Sequence, residues 1–368
     1  MRHVDQPIII ISAGGTGGHI FPALALTSVL KERGFKMIWV TDHRGLKFKD
    51  QFTGDQVLYV PSATLKAGLI SKIKTMLVLA LGYIKAHIIL LQYQPCAVIG
   101  FGGYPSFPTV LAAQHVKIET LIHEQNMTLG KANIMLAPKA RRIALWVAET
   151  KFVTPAMQDR VRVTGNPVRA AIAALSNVSY LAPKGDKPLR LLILGGSLGA
   201  SVFSEVVPEY LENLTADQRK RLHITQQCRA VDLESVRARY EKIGVDYILQ
   251  PFFDDMPAQL EKAHLVITRS GASTVAELTT AGRPAIFVPY PHHADQQQTR
   301  NAEYVAAVGG GWCVSQNDFT ADFLKHKIDA FLKTPELLEN AAAAALSLGC
   351  SNAATRLADV VIDIAQRK

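Results

Sequence analysis

The stretch Pro7–Phe21, PIIIISAGGTGGHIF, constrains the fold more than any other part of the chain. Four consecutive isoleucines make an apolar run of strand length, a turn carrying four glycines follows, and a second apolar segment begins behind His19. A strand that delivers a tight turn to a helix start is the opening half of a βαβ unit. Glycine lets such a turn adopt positive φ and bring main-chain N–H groups close to a ligand, while the helix dipole behind it favours an anion. Ala23–Arg33 has helical spacing, Gly34 stops it, and Met37–Thr41 reads as the returning strand.

The same pattern recurs. Ala97–Gly100 is a short strand running into GFGGYPSFP, with helical spacing from Pro108 to His115, and the strand Thr120–His123 ends in HEQN. Loops that end the strands of a parallel sheet gather on one edge, so Gly14–His19, Gly102–Tyr104 and His123–Asn126 are expected to share a cleft. After the polar stretch Asn177–Lys187 comes RLLILGGSLGASVFSEVV, which repeats strand, Gly-rich turn and helix. With 368 residues the chain exceeds what one core usually holds. Two doubly wound α/β domains are expected, 1–168 and 169–350, with 351–368 a final helix packing back on the first.

The charge balance, 40 basic against 31 acidic residues, suits an anionic partner. Nucleic acid fits poorly, since aromatics are 7% of the chain and no Lys/Arg run or zinc-finger spacing occurs. Cys96, Cys228, Cys313 and Cys350 are scattered without CxxC spacing, which suits a reducing compartment, and MRHVDQP has no signal-peptide pattern, so a cytoplasmic setting is expected. Leu65–Leu91 places Leu69, Ile73, Leu77, Leu81 and Ile84 at helical spacing among Lys66, Lys72, Lys74 and Lys85. Its longest charge-free run, Thr75–Ile84, is about half the ~20 residues of a membrane span, so it is read as non-spanning. An interfacial patch and a core helix both fit.

The opening turn lacks the Lys-Ser/Thr of a Walker loop, and Ile20 stands where a dinucleotide fingerprint needs a third small residue, although Asp42 lies at a distance suited to a ribose. An NAD-dependent oxidoreductase therefore remains a weaker alternative, as does a turn with no ligand. His19, at the helix N-terminus, is expected to be neutral and suited to abstracting a hydroxyl proton; the plain alternative is a helix-start histidine. In HEQN, Asn126 replaces the second histidine of a zinc motif, and His292, His293 and Asp295 offer no converging ligand set, so no metal is assigned. RSGASTVAEL, Arg269–Leu278, opens a helix whose Ser and Thr either cap it or receive a phosphate, with Glu277 placed in the first turn or so.

Taken together, GGTGGHIFP, GFGGYPSFP, HEQN, TGNPVR, GGSLGA, FFDDM, RSGASTVAE and DQQQTRNA resemble, in order and over nearly the whole chain, the membrane-associated N-acetylglucosaminyltransferase family of peptidoglycan synthesis. The resemblance implies a GT-B architecture of two Rossmann-like domains facing a cleft. It implies inverting transfer of GlcNAc from UDP-GlcNAc to the MurNAc 4-hydroxyl of undecaprenyl-pyrophosphoryl-MurNAc-pentapeptide, lipid I, giving lipid II. The N-terminal domain would face acceptor and membrane, and the C-terminal domain would bind the donor. By resemblance, Arg169 and Ser197 hold the donor phosphates, Glu277 the ribose, and the Phe253 backbone the uracil, with Phe252 nearby. Ala272, Asn126, Gln297 and Gln298 contact the sugar, Ser273, Thr274, Val275 and Ala276 belong to the same donor segment, and Thr16, Gly17 and Gly18 line the centre. Leu198 stands where the family often has glutamine. His19 is the expected base, with Glu124 next. UDP-GlcNAc is a substrate and no cofactor is implied. The resemblance places the enzyme peripherally on the cytoplasmic side of the inner membrane, on an anionic surface, with cell-wall synthesis proteins as potential partners.

Overall fold

Residues buried on both faces of a strand require cover on both faces, and the isoleucine run shows how that is met. In the computed structural model, which describes residues 6–52, 56–64, 68–196, 199–292 and 296–366, Ile9 and Ile11 pack with Ala23, Leu26 and Leu30 of the helix Gly17–Glu32. Ile10 points the other way, into a core with Ala86, Ile89 and Leu90. The period of two thus divides one strand between two layers.

The chain forms two units, Met1–Arg169 with Asn352–Lys368, and Ala170–Ser351. The first holds a seven-stranded parallel sheet of β1 (Ile8–Ser12), β2 (Lys36–Thr41), β3 (Gln56–Tyr59), β4 (Ala97–Gly100), β5 (Glu119–Glu124), β6 (Arg142–Leu145) and β7 (Val161–Val163), in the order β3-β2-β1-β4-β5-β6-β7. The second holds β8 (Leu189–Leu194), β9 (Leu222–Gln227), β10 (Asp246–Gln250), β11 (Leu265–Thr268), β12 (Ala285–Phe287) and β13 (Gly311–Cys313), in the order β10-β9-β8-β11-β12-β13. Both are doubly wound, so the fold class is the expected one. The second unit begins at Ala170, ahead of the polar stretch Asn177–Lys187, where Tyr180 Oη donates to His264 O at 2.7 Å.

Two helices differ from the sequence reading. The helix placed from Pro108 starts at Gly103 and runs to His115, because Pro105 falls in the first turn, where its missing N–H costs nothing. The second concerns Leu69–Tyr93, 25 residues long. After Lys85 it carries no charge, and Ser71–Tyr93 is long and apolar enough, by length and composition, to cross a membrane; the charge-free-run argument against spanning fails. Instead, one face is committed to the core through Ala86, Ile89 and Leu90, and Gly82 lacks the side chain that would collide with Pro61 O. On the other face Ile73, Leu77, Leu81, Ile84, Ile88 and Leu91 are 51–62% exposed. Leu65 and Lys66 lie outside the described residues.

The last helix, Ala353–Ala365, belongs to the first unit. Leu357, Ala358, Val361 and Ile364 are fully buried against the β1 face, while Asp363 pairs with Arg142 at 3.2 Å and Arg356 donates to Val163 O at 2.7 Å. Leu357→Ala should cost about 2–5 kcal/mol through the cavity it leaves. Chemical denaturation followed by hydrogen exchange should show the loss in the first unit, with amides of Ala170–Ser351 unaffected.

Candidate active site

In the first sheet the strand order reverses between β1 and β4, so the loops leaving these neighbours border a crevice at the carboxyl edge. Gly14–His19 leaves β1 and Gly102–Tyr104 leaves β4. They touch: a Cβ on Gly103 would lie 3.3 Å from His19 Cε1, and one on Gly14 would lie 2.8 Å from Pro105 Cβ. Gly15 at φ 82° and Gly103 at φ 69° occupy the left-handed region that glycine alone enters without strain.

Asp42, at the end of β2, holds the opening turn. It is 1% exposed; Oδ1 accepts from Gly15 N at 3.1 Å and Gly45 N at 3.0 Å, and Oδ2 accepts from Arg44 Nε at 2.8 Å and Ser62 Oγ at 3.3 Å. Burial disfavours its charge, but the bonds from Arg44, Gly45 and Gly15 outweigh that and hold the carboxyl below its usual range. Its lone pairs are engaged within the protein, which removes the ribose contact behind the dinucleotide alternative.

His19 is the third residue of its helix. Burial, with Arg44 adding to it, lowers its pKa against opposing pulls from the Gly14 main chain and Asp42. The ring is therefore neutral at pH 7, chiefly from desolvation rather than the helix dipole invoked from the sequence. Its Nδ1 makes no hydrogen bond.

HEQN is a positioning network. The fully buried His123 has a pKa pushed down to about 4, chiefly by desolvation; its Nε2 donates to Gly165 O at 3.2 Å and its Nδ1 accepts from Gln125 Nε2 at 3.0 Å. Glu124, kept above the usual carboxylate range by burial despite its donors, accepts at Oε1 from Asn126 N and Nδ2, both at 3.1 Å. Its Oε2 accepts from Gly130 N and Asn133 Nδ2, both at 2.8 Å. Four donors on its two oxygens tie Glu124 to Asn126, Gly130 and Asn133. Asn133 had no motif to mark it; only the tertiary fold brings it to Glu124.

In the second sheet the order reverses between β8 and β11, and the loops concerned are Gly195–Gly199 and Arg269–Gly271. Arg269, overlooked in the sequence as a mere motif start, is 9% exposed and donates to Val288 O at 2.9 Å, Pro289 O at 3.1 Å and Gln316 Oε1 at 2.6 Å. Its guanidinium also lies 5.5 Å from the Phe203 ring and 5.6 Å from Tyr290. A buried cation spent on carbonyls ties three loops of this edge together. Asn301, fully buried, donates to Ser270 O at 3.2 Å, and Gln298 Oε1 accepts from Tyr290 N at 2.9 Å.

Residues 9–145 match the Glycosyltransferase family 28 N-terminal domain, and residues 190–359 match the Glycosyltransferase family 28 C-terminal domain. The chain belongs to that family. A UDP-N-acetylglucosamine--N-acetylmuramyl-(pentapeptide) pyrophosphoryl-undecaprenol N-acetylglucosamine transferase of Rhodospirillum centenum is 48% identical to it, over 97% of this chain and 94% of the relative. The crystal structure of MurG from Acinetobacter baumannii superposes with a TM-score of 0.76 at 31% identity, covering 97% of this chain and 99% of that one. UDP-GlcNAc 2-epimerase from Neisseria meningitidis reaches a TM-score of 0.67 at 13% identity, covering 97% of this chain and all of that one, a likeness of fold alone.

Within the family 28 fold, the residues expected from the sequence fall into two sets. Thr16, Gly17, Gly18 and His19 lie at the start of the helix after β1, Glu124 ends β5 with Asn126 in the loop behind it, and Arg169, whose guanidinium lies 5.3 Å from the Phe21 ring, is the last residue of the first unit's long segment. The helix Ala272–Thr280 places Ser273 and Thr274 in its first turn, but Glu277 one turn further on than the sequence reading had it. Val275 and Ala276 are core side chains there, so only their main chain can reach a ligand. Phe253 is buried and Phe252 exposed, and Gln297 and Gln298 start the helix Gln297–Ala307. Ser197, Leu198, His293 and Asp295 lie outside the described residues.

Asp42→Asn should cost about 1–3 kcal/mol at pH 7, since charge-assisted bonds are weakened rather than removed. A depressed carboxyl stabilises the fold above its unfolded pKa of ~3.9 and loses that contribution as pH falls through the folded value. Denaturation curves taken at successively lower pH should therefore show the gap between variant and wild type narrowing in acid.

Proposed function

We propose that this chain transfers GlcNAc from UDP-GlcNAc to the 4-hydroxyl of the MurNAc unit of an undecaprenyl-pyrophosphoryl acceptor, forming a β-1,4 link with inversion. The observation that carries the mechanism is His19: a partly exposed imidazole whose pKa is lowered by burial, set against the second Gly-rich turn at the switch point of the first sheet. His19 takes the hydroxyl proton as the oxygen attacks C1 of GlcNAc and UDP departs with the bonding pair. The turns at Gly14–Gly18 and Gly102–Tyr104, the latter opening the helix Gly103–His115, serve the acceptor diphosphate. Glu124 fixes Asn126 for the sugar.

On the donor side, Arg169, Ser197 and the turn Gly195–Gly199 meet the charge that develops on the diphosphate, Glu277 holds the ribose, and the main chain at Phe253 reads the uracil. Gln298, already anchored to Tyr290 N, contacts the sugar with Gln297 and Ala272. The exposed face of Leu69–Tyr93, with the exposed Lys72, Lys74 and Lys85, docks the enzyme on the anionic cytoplasmic leaflet, where each basic residue adds ~1 kcal/mol. Six large apolar side chains more than half exposed along about five turns form a contiguous face of the kind that marks an interaction surface.

Radiolabel transfer from UDP-GlcNAc to lipid I tests the activity, and His19→Gln should lower turnover by ~10²–10⁴-fold while UDP-GlcNAc still binds. Turnover at the wild-type rate would remove His19 as base. Leu77→Glu with Leu81→Glu should weaken co-sedimentation with phosphatidylglycerol vesicles by about tenfold or more, leaving transfer to a short-chain soluble acceptor intact.

A further inference from the structure

The turn after β8 has an unusual neighbour. Gly199 N donates to Gly196 O at 3.1 Å, and both glycines are left-handed, at φ 69° and φ 74°. A Cβ on Gly195 would come within 2.7 Å of Gly199 Cα and Ala200 N, so the two ends of the turn are in backbone contact. The space a side chain on Gly199 would need is filled from outside: a Cβ there would overlap Arg229 Cγ and lie 3.0 Å from Arg229 Cδ. Arg229 belongs to the loop that leaves β9, the strand beside β8, on the same carboxyl edge.

The arginine is held at its far end. Its Nε donates to Asp232 Oδ2 at 2.6 Å and its terminal nitrogen to Asp232 Oδ1 at 2.8 Å, a two-point fork. Asp232 immediately precedes the helix Leu233–Ile243, whose Val236 and Tyr240 are buried in the second unit's core. The stem of Arg229 is thus tied to the start of a helix at one end and pressed against the Gly199 backbone at the other. Because Asp232 neutralises the guanidinium, the pair adds little net charge; what it supplies is shape.

We propose that Arg229, locked by Asp232, is a positioning residue for the donor diphosphate. By bracing Gly199 it fixes the main-chain N–H groups that lead into the helix Ser201–Glu212 in the geometry a diphosphate requires. The inference rests on the reading that the turn Gly195–Gly199 receives the diphosphate of UDP-GlcNAc, and it assigns the specificity for that group to two side chains outside the turn.

Calorimetric titration of the full chain with UDP and with uridine separates bracing from general damage. Arg229→Ala should weaken UDP about tenfold and lower kcat/KM for UDP-GlcNAc by at least as much, with uridine affinity within about twofold of wild type. Arg229→Met, which keeps the stem but not the fork, should fall between the two. Gly199→Ala should also weaken UDP, and adding Arg229→Gly, which clears the overlapping stem, should restore part of that loss. Equal weakening of UDP and uridine, unchanged UDP binding in Arg229→Ala, or strictly additive effects in the double variant would overturn the proposal. A wild-type chain that binds neither ligand would contradict the underlying donor-site reading, a result distinct from all of these.

Discussion

The Asp42 carboxylate is almost wholly buried and still held in its charged form, because four donors from three parts of the chain converge on it. Without those bonds, burying the charge would be strongly unfavourable; with them, the carboxylate becomes the fixed point from which the opening turn hangs. Gly15 and Gly45 are tied to one oxygen, so the loops after β1 and β2 move as one body. Gly14, between Asp42 and Pro105, has no room for a side chain, which couples the same body to the helix after β4. His19 sits where these constraints meet, and its desolvation follows from that packing.

The two units answer one topology in different ways. Each places a Gly-rich turn after the strand that opens it, yet the connection from β3 to β4 contains a 25-residue helix, whereas that from β10 to β11 contains only the seven-residue Met256–Lys262. The long helix has more apolar surface than the sheet beneath can cover, and the excess is left as an exposed apolar face. Polar organisation differs as well. The first unit orders its edge with buried carboxylates, Asp42 and Glu124, which accept from main-chain N–H groups; the second uses a buried cation, Arg269, which donates to main-chain carbonyls.

Strand and helix positions were legible in the sequence because they follow from local period and from glycine as punctuation: Ile8–Ser12, Gly34 and the repeat at Leu189–Gly199 needed no tertiary knowledge. The family was legible too, since its motifs occur in order along nearly the whole chain. Side-chain roles that depend on partners far away were not. Asp42 suited a ribose only within the weaker dinucleotide alternative, and its hold on Gly15 and Gly45, like that of Glu124 on Gly130, was invisible because main-chain N–H partners leave no mark in the sequence. The helix Leu69–Tyr93 showed its apolar period but not which side of it would be covered. The sequence offered the helix N-terminus as the reason for a neutral His19, whereas the largest cause in the fold is burial, a property of the packed structure.

The central claim is that His19 is a neutral imidazole at working pH and that its neutral form is the one that reacts. Heteronuclear NMR titration of the His19 ring in the full chain, set beside the pH dependence of kcat/KM, addresses it directly. The account predicts a ring pKa below the ordinary ~6.5, coinciding with the acid limb of the rate profile, with activity falling as pH drops through it. A ring that titrates at or above ~6.5, or an acid limb that does not follow it, would contradict the account.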